Sequence, residues 1–153
     1  MLTEREITEK FEDYRKFRHL YLTAFPKEER VPAKYLMKHN GESELIACYD
    51  GETFCGFYST LTFGDITHIL FLAIAEELRD HGYGSRILRL ISARHPDNRI
   101  ILDMEAEDSS APNAEQRTRR RAFYERNGYS DSGIAYEWKG VPYRILIRNG
   151  KIS

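Results

Sequence analysis

The segment from Ile69 to Leu88 constrains the fold most, because an apolar run passes through a glycine-containing turn into a helical pattern. Residues 69–75 carry no charge, which is typical of a buried strand. Gly82 and Gly84 in the turn allow positive φ angles and a close approach of a ligand to the backbone. The free N–H groups at the start of the helix favour an anion such as phosphate. The segment therefore predicts an anion site, with an ordinary tight loop as the alternative.

The rest of the pattern predicts an α+β fold in one domain over residues 1–153. The predicted helices cover 8–24, 28–39, 86–93 and 113–127, the first capped by Thr8 and the second closed by Asn40-Gly41. The predicted strands cover 2–7, 44–49, 54–61, 66–74, 99–105, 129–138 and 141–148. This order favours a mixed, mostly antiparallel sheet of about seven strands flanked by about four helices, not an alternating doubly wound fold.

Charge and hydropathy exclude several classes of protein. The chain has 23 Lys and Arg against 24 Asp and Glu, a net charge of −1, which argues against a dedicated nucleic-acid binder. Its longest uncharged apolar run, 69–75, is far shorter than the roughly 20 residues of a membrane span. The charged N-terminus does not resemble a signal peptide. We therefore expect a cytoplasmic protein without nucleic-acid or membrane partners.

Cys48 and Cys55 flank a predicted hairpin turn at Gly51-Glu52, which places them opposite each other. Two cysteines are too few for a disulfide scaffold, and we expect reduced thiols, leaving open whether they ever pair. The five histidines do not cluster at metal-ligand spacings, and the sequence contains no H-E-x-x-H. No metal is predicted.

Two motifs bear a family resemblance. Arg79-Asp80-His81-Gly82-Tyr83-Gly84 resembles the R/Q-x-x-G-x-G/A motif of GNAT-type N-acetyltransferases, with a strand before it and a helix after it. Phe123-Tyr124-Glu125-Arg126-Asn127-Gly128-Tyr129 is similar to the F-Y-E-x-x-G-F/Y signature that follows the next strand in that superfamily. The resemblance spans about residues 1–148 and is most specific over 69–129.

The resemblance implies acetyl-CoA as co-substrate and a primary amine, on a small molecule or a peptide, as acceptor. It implies that the pantetheine arm pairs with Leu72, Ala73 and Ile74, with the Ile74 amide as oxyanion stabiliser. Tyr124 would contact the CoA and protonate the leaving thiolate. The implied pyrophosphate contacts are Arg79, Asp80, His81, Gly82, Tyr83, Gly84 and Ser85.

The sequence departs from the family at one position. An asparagine that often contacts pantetheine is replaced by Arg117, while Asn113 lies one helical turn earlier on a similar face. Either residue, or neither, takes the role. The helix also carries Arg119, Arg120 and Arg121, which form either a solvated face or contacts to the CoA phosphates.

Direct transfer needs a group that takes a proton from the amine. Asp103 and Glu105 share one face of a predicted strand, and like charges held together favour protonation of one of them. Glu105 is the first candidate base and Asp103 the second, with Glu29 as another. A solvent-facing acidic edge remains the alternative. Residues predicted to border the acceptor site are Glu28, Glu29, Asp103, Glu105, Glu107, Asp108, Phe25, Tyr35, Tyr136 and Trp138.

The sequence does not identify the amine, and it leaves a homodimer open. A non-catalytic acyl-CoA sensor on the same fold is one alternative function, and a phosphate-binding α+β module unrelated to CoA is another. The sensor would keep the glycine turn and lack a working base.

Overall fold

The computed structural model describes residues 2–27, 29–37 and 42–152. Its helices are α1 (Tyr14–Ala24), α2 (Ala33–Leu36), α3 (Tyr83–Arg94) and α4 (Ala114–Arg126), with a short 3₁₀ turn at Glu76–Leu78. Its strands are β1 (Leu2–Glu6), β2 (Ser43–Asp50), β3 (Thr53–Phe63), β4 (Ile66–Ile74), β5 (Arg99–Glu105), β6 (Ser130–Trp138) and β7 (Val141–Arg148).

The strands form one sheet in the order β1-β2-β3-β4-β5-β7-β6. Among the described strands, only β4 and β5 pair in parallel, and the other neighbours are antiparallel. The predicted α+β class with a mixed, mostly antiparallel sheet is confirmed.

Side chains alternate across the sheet and build a separate core on each face. Ile46, Tyr58 and Ile69 pack with Ile87 and Ile91 of α3, on a face that we call the α3 face. The neighbouring positions on the same strands point to the other side, because strand side chains alternate. There they pack against α1 and α2, on what we call the α1 face.

The parallel pair β4–β5 parts before either strand ends. Its register runs from Ile66 beside Arg99 to Ile69 beside Leu102 and stops there, although β4 continues to Ile74 and β5 to Glu105. The sheet therefore contains an opening between the two strand ends, which we call the β4–β5 gap.

Two helix predictions need correction. The first helix begins at Tyr14, because residues 8–13 form turns in which the Thr8 side chain accepts the backbone N–H of Lys10 at 3.3 Å. The second helix is confined to Ala33–Leu36 after Pro32, whose ring removes a backbone donor. Its predicted start at Glu28, its end at His39 and the closing Asn40-Gly41 lie outside the described residues.

The predicted pairing of Cys48 with Cys55 is wrong by one residue. A bulge shifts the register so that Cys48 lies opposite Gly56 and Tyr49 opposite Phe54, and Cys55 is the extra residue. Both thiols are free and buried in the α3-face core. Burial, together with nearby charge, raises the pKa of Cys48 to about 12, so this thiol is a poor nucleophile.

Candidate active site

The glycine turn presents backbone donors at one end of the β4–β5 gap. Asp80 and Gly82 have φ angles of 67° and 82°, and Gly82 is the N-cap residue immediately before α3. Among the hydrogen bonds of the described residues, none has the backbone N–H of residues 80–85 as its donor. Consecutive free amides at a helix start favour the binding of an anion.

Contacts from two other elements hold this turn in place. The Tyr83 hydroxyl donates to Asp50 Oδ2 at 2.7 Å, and Arg86 lies 3.7 Å from the same oxygen. The hydrogen bond from Tyr83, with support from Arg86, lowers the pKa of Asp50. At the other side Asn127, which immediately follows α4, donates to Ser85 Oγ at 3.1 Å. Tyr83 and Ser85, both predicted cofactor contacts, therefore also carry structural bonds.

Free backbone groups of β4 line the gap. The N–H of Ala75 donates to Cys55 of β3 at 2.8 Å, and strand N–H groups alternate in direction. The amides of Leu72 and Ile74 therefore point away from β3 into the gap, whereas that of Ala73 points toward β3. Arg79 reaches back to the same edge, where its Nε donates to the Ile74 carbonyl at 3.3 Å.

Strand β4 contains a bulge. The register with β3 passes from Phe71 opposite Ser59 to Ile69 opposite Thr60, so Leu70 is the extra residue. The bulge thus adjoins the point where β4 and β5 part. Of the two free amides, that of Leu72 lies nearer to it along the strand than that of Ile74.

Tyr124 lies on the α3 face, partly buried and packed against that core. Its ring makes edge contacts with Phe123 and Tyr129, at 5.1 Å and 5.9 Å between ring centroids. Burial raises the pKa of Tyr124 and outweighs the opposing charge of Arg120, so the phenol keeps its proton at neutral pH. Its hydroxyl makes no hydrogen bond within the described part of the chain, so this proton has no protein acceptor there.

The residue that replaces the family's asparagine is a buried structural arginine. Arg117 is only 7% exposed, and its Nη2 lies 2.6 Å from Glu105 Oε2. It also donates to Asn113 Oδ1 at 2.9 Å and to the Ala106 carbonyl at 3.0 Å. Asn113 immediately precedes α4 and faces the same carboxylate, with 3.5 Å from its Nδ2 to Glu105 Oε1. These contacts join the start of α4 to the end of β5.

The two carboxylates predicted to act as a pair have separate partners. Glu105 faces Arg117 and, at 3.9 Å, Arg120. Asp103 instead lies 3.0 Å from His68 Nε2 of β4. Glu105 therefore forms ion pairs with the start of α4, whereas Asp103 faces an imidazole, and the two carboxylates keep the shared strand face on which the candidacy of Glu105 depends.

His68 is a functional candidate that the sequence reasoning missed. It is the one ionisable side chain in strand 66–74, whose other residues are apolar apart from Thr67, and this was the available signal. Asp103 also interacts with Tyr136 of β6. Burial, and then the charge and hydrogen bond of Asp103, raise the pKa of Tyr136 to about 12. Tyr136 stacks on Tyr143 of β7 at 5.3 Å between centroids.

The same cluster includes Glu29, which lies between α1 and α2. The Tyr143 hydroxyl donates to Glu29 Oε1 at 2.7 Å, and burial followed by this bond raises the pKa of Tyr143. Glu29, His68, Asp103, Tyr136 and Tyr143 thus connect the α1–α2 link with four strands, and we call them the acceptor-side cluster. Of the other predicted aromatic wall residues, Phe25 is partly buried against the α1-face core, whereas Tyr35 and Trp138 are exposed to solvent, at 52% and 51%.

Among residues 2–27, 29–37 and 42–152, no group of three or more His, Cys, Asp and Glu is arranged to hold a metal ion. Within the same ranges, none of the helices is long and apolar enough to span a bilayer.

Comparison with known proteins gives the geometry a context. Residues 41–131 match the family model described as an acetyltransferase (GNAT) domain. No protein of curated function matches the sequence significantly.

Solved structures share the whole architecture. A protein from Bacteroides thetaiotaomicron assigned to the GNAT acetyltransferases has a TM-score of 0.80 and 23% identity, over 97% of this chain and 87% of that chain. The aminoglycoside 6'-N-acetyltransferase of Enterococcus faecium has a TM-score of 0.70 and 17% identity, over 95% and 96%. A GNAT acetyltransferase of Elizabethkingia anophelis with acetyl-CoA bound has a TM-score of 0.65 and 14% identity, over 96% and 97%. At these identities the likeness establishes the fold.

Proposed function

The chain belongs to the GNAT acetyltransferase family, and we propose that it transfers the acetyl group of acetyl-CoA to a primary amine by direct attack. One observation carries this proposal: the β4–β5 gap opens beyond Ile69 and Leu102 and ends at a turn of free amides. An extended, phosphate-bearing ligand fits this combination of a strand edge and an anion site.

The residues present match the chemistry of acetyl-CoA. The amides of residues 80–85 supply donors for the pyrophosphate, and the exposed Arg79 adds a positive charge beside them. The pantetheine arm contains amide groups, and the Leu72 and Ile74 amides are free to pair with it as a neighbouring strand would. Asn113 stays a candidate contact at the start of α4, whereas the guanidinium of Arg117 is already bonded within the protein.

Chain residues assist the transfer from both sides of the sheet. When bound, acetyl-CoA supplies an activated thioester. A free amide of β4, at Leu72 or Ile74, donates a hydrogen bond to the carbonyl oxygen as negative charge develops there, which is worth a few kcal/mol. Tyr124 on the α3 face gives its phenolic proton to the sulfur as the carbon–sulfur bond breaks. The amine approaches from the α1 face, where the acceptor-side cluster lies.

The acceptor-side cluster favours a cationic amine. Glu29 and Asp103 supply negative charge, and the stacked rings of Tyr136 and Tyr143 supply an aromatic surface. Carboxylates and aromatic faces both attract an ammonium group. We propose that Glu105, through its contact with Arg117, also supports the start of α4.

We also place the protein in a reducing compartment such as the cytoplasm. Cys48 and Cys55 lie in one core cluster and are both free, which is the ordinary state of thiols there.

A screen of amines tests the function. The protein is incubated with acetyl-CoA and a panel that contains polyamines, aminoglycosides, amino acids and peptide N-termini, and release of the CoA thiol is followed. We expect amine-dependent release with at least one class. Binding of acetyl-CoA without release in any well would favour the non-catalytic sensor, and absence of binding would contradict both functions.

A further inference from the structure

We propose that His68, positioned by Asp103, is the base that takes the proton from the attacking amine. The proposal rests on the proposed amine acetylation and adds to it a residue and a proton route. Four observations support it: the place of the His68–Asp103 pair at the gap, its position on the face opposite Tyr124, the hydrogen bond of the ring, and the groups around the pair.

The pair lies at the point where the sheet opens. His68 lies beside Ile101 in the β4–β5 register, and the last paired residues are Ile69 and Leu102. Asp103 is therefore the first residue of β5 beyond the paired segment, and Leu70 on β4 is the bulged one. The side chains of His68 and Asp103 therefore border the β4–β5 gap.

His68 and Tyr124 lie on opposite faces of the sheet. Ile69 and Leu102 belong to the α3-face core, so their neighbours His68 and Asp103 point to the α1 face. Tyr124 packs against the α3-face core. A base on one face and an acid on the other match an amine that enters from one side and a thiolate that leaves toward the other.

The hydrogen bond sets which ring nitrogen is available. His68 Nε2 lies 3.0 Å from Asp103 Oδ2, and because an ionised carboxylate only accepts, Nε2 carries the hydrogen. Nδ1 then holds the lone pair, and it makes no hydrogen bond within the described part of the chain. Both side chains are partly open to solvent, at 29% and 31% exposure, so a substrate can reach the ring. Imidazole is also the ordinary side chain that changes charge between about pH 5 and 8.

Acidic and phenolic groups surround the His68–Asp103 pair. The ionisable groups that we find around the pair, among the described residues, are Glu105 on β5, Tyr136 on β6, Tyr143 on β7 and Glu29 in the α1–α2 link. Two of these are carboxylic acids and two are tyrosines that hold their protons at neutral pH. The Asp103 carboxylate faces the ring, whereas that of Glu105 is paired with Arg117 and Arg120.

The protons balance as follows. His68 Nδ1 takes one proton from the ammonium form of the acceptor, which frees the nitrogen lone pair for attack on the thioester carbon. As the carbon–nitrogen bond forms and the carbon–sulfur bond breaks, Tyr124 protonates the sulfur, and the second proton leaves the new amide nitrogen to solvent. His68 then releases its proton to solvent, and Tyr124 recovers one from solvent. The net reaction consumes an ammonium and a thioester and yields an amide, a thiol and one proton.

The test uses His68→Gln and Asp103→Asn, with His19→Gln on the exposed surface of α1 as the matched control. With an amine found in the panel, we expect His68→Gln to lower turnover about 10²- to 10⁴-fold and to abolish the rising limb of kcat/KM against pH. Acetyl-CoA affinity, measured by calorimetry, should stay unchanged. Asp103→Asn should lower turnover less and move the limb to lower pH, because it removes the negative charge beside the ring. His19→Gln should retain both turnover and limb.

A second measurement does not depend on activity. The ring ¹⁵N signals of His68 should change in Asp103→Asn and stay unchanged in Asp131→Asn, whose carboxylate instead bonds Arg144. If His68→Gln keeps its turnover and its rising limb while the panel still shows amine-dependent release, the base assignment is wrong and the acetyltransferase function stands. If no amine is acetylated, the proposed function itself fails.

Discussion

Gly84 lies against the ring of Phe123, so close that a β-carbon at Gly84 would be 2.9 Å from the ring's Cζ. The second glycine of the turn therefore serves the contact between α3 and α4 as well as the approach of a ligand. We expect Gly84→Ala to lower the free energy of unfolding by about 1–3 kcal/mol, because overpacking outweighs the small gain in helix propensity. Urea unfolding measures this. Phe123→Leu in the same chain should recover part of the loss, and a Gly84→Ala variant as stable as the parent would contradict the contact.

A substitution at Gly82 tests the anion site, because the backbone conformation of this residue suits glycine. Its φ of 82° is unfavourable for a branched side chain, although open space surrounds the added atom. Gly64, in the turn between β3 and β4, has a φ of 57° and equally open space, so Gly64→Val imposes comparable backbone strain away from the gap. We expect both valine variants to lose similar stability and only Gly82→Val to lose CoA binding in calorimetry. Equal CoA affinity in the two folded variants would contradict the site.

Tyr124 is the proposed general acid, and the neighbouring Tyr129 provides a matched control. Tyr124→Phe removes only the hydroxyl, and turnover should fall roughly 10- to 1000-fold with little change in acetyl-CoA affinity. The Tyr129 hydroxyl is buried without a hydrogen-bond partner in the described residues, so Tyr129→Phe should retain turnover and gain about 1 kcal/mol of stability. Steady-state kinetics measures the turnover of both variants, and urea unfolding measures their stability. Full activity of Tyr124→Phe across the pH range would remove it from the mechanism.

The ionisation of Glu44 makes the stability of the protein depend on pH. Burial opposes its ionisation, but hydrogen bonds from His95 and Thr60 and the charge of Arg94 outweigh that effect and lower its pKa. A lowered folded pKa adds stability that is fully present above the unfolded value of about 4.3 and is lost as pH falls through the folded value.

Glu44→Gln should therefore be less stable than the parent at pH 7, and the difference should shrink as the pH falls below about 4.3. Urea unfolding at both pH values measures this, with the exposed Glu52→Gln as control. A difference that stays constant with pH would show that Glu44 contributes through packing and not through its charge.

Local sequence patterns predict most elements, because they depend on periodicity and turn residues. Strand β4 has the predicted bounds, and Gly128 after α4 has the left-handed φ of 89° expected of a helix cap. The predicted range of α2 is longer than the helix, which covers only Ala33–Leu36. A helical pattern of side chains does not fix where tertiary packing supports a helix.

The pairings between distant residues were less predictable. The shift of Cys55 depends on a bulge, and no feature of the hairpin turn encodes it. The contact of Arg117 with Glu105 and that of His68 with Asp103 join residues of different elements. A single strand places Asp103 and Glu105 on one face, but only the assembled sheet shows that each has its own partner.

Amide hydrogen exchange with and without acetyl-CoA tests the central claim, that the β4–β5 gap and the glycine turn hold this ligand. The strand contains its own control, because Leu72 and Ile74 point into the gap while Ala73 points toward β3. We predict that saturating acetyl-CoA slows exchange at Leu72, Ile74 and residues 80–85, and leaves Ala73 unchanged. Exchange at these gap and turn amides that stays the same in the presence of saturating acetyl-CoA would contradict the account.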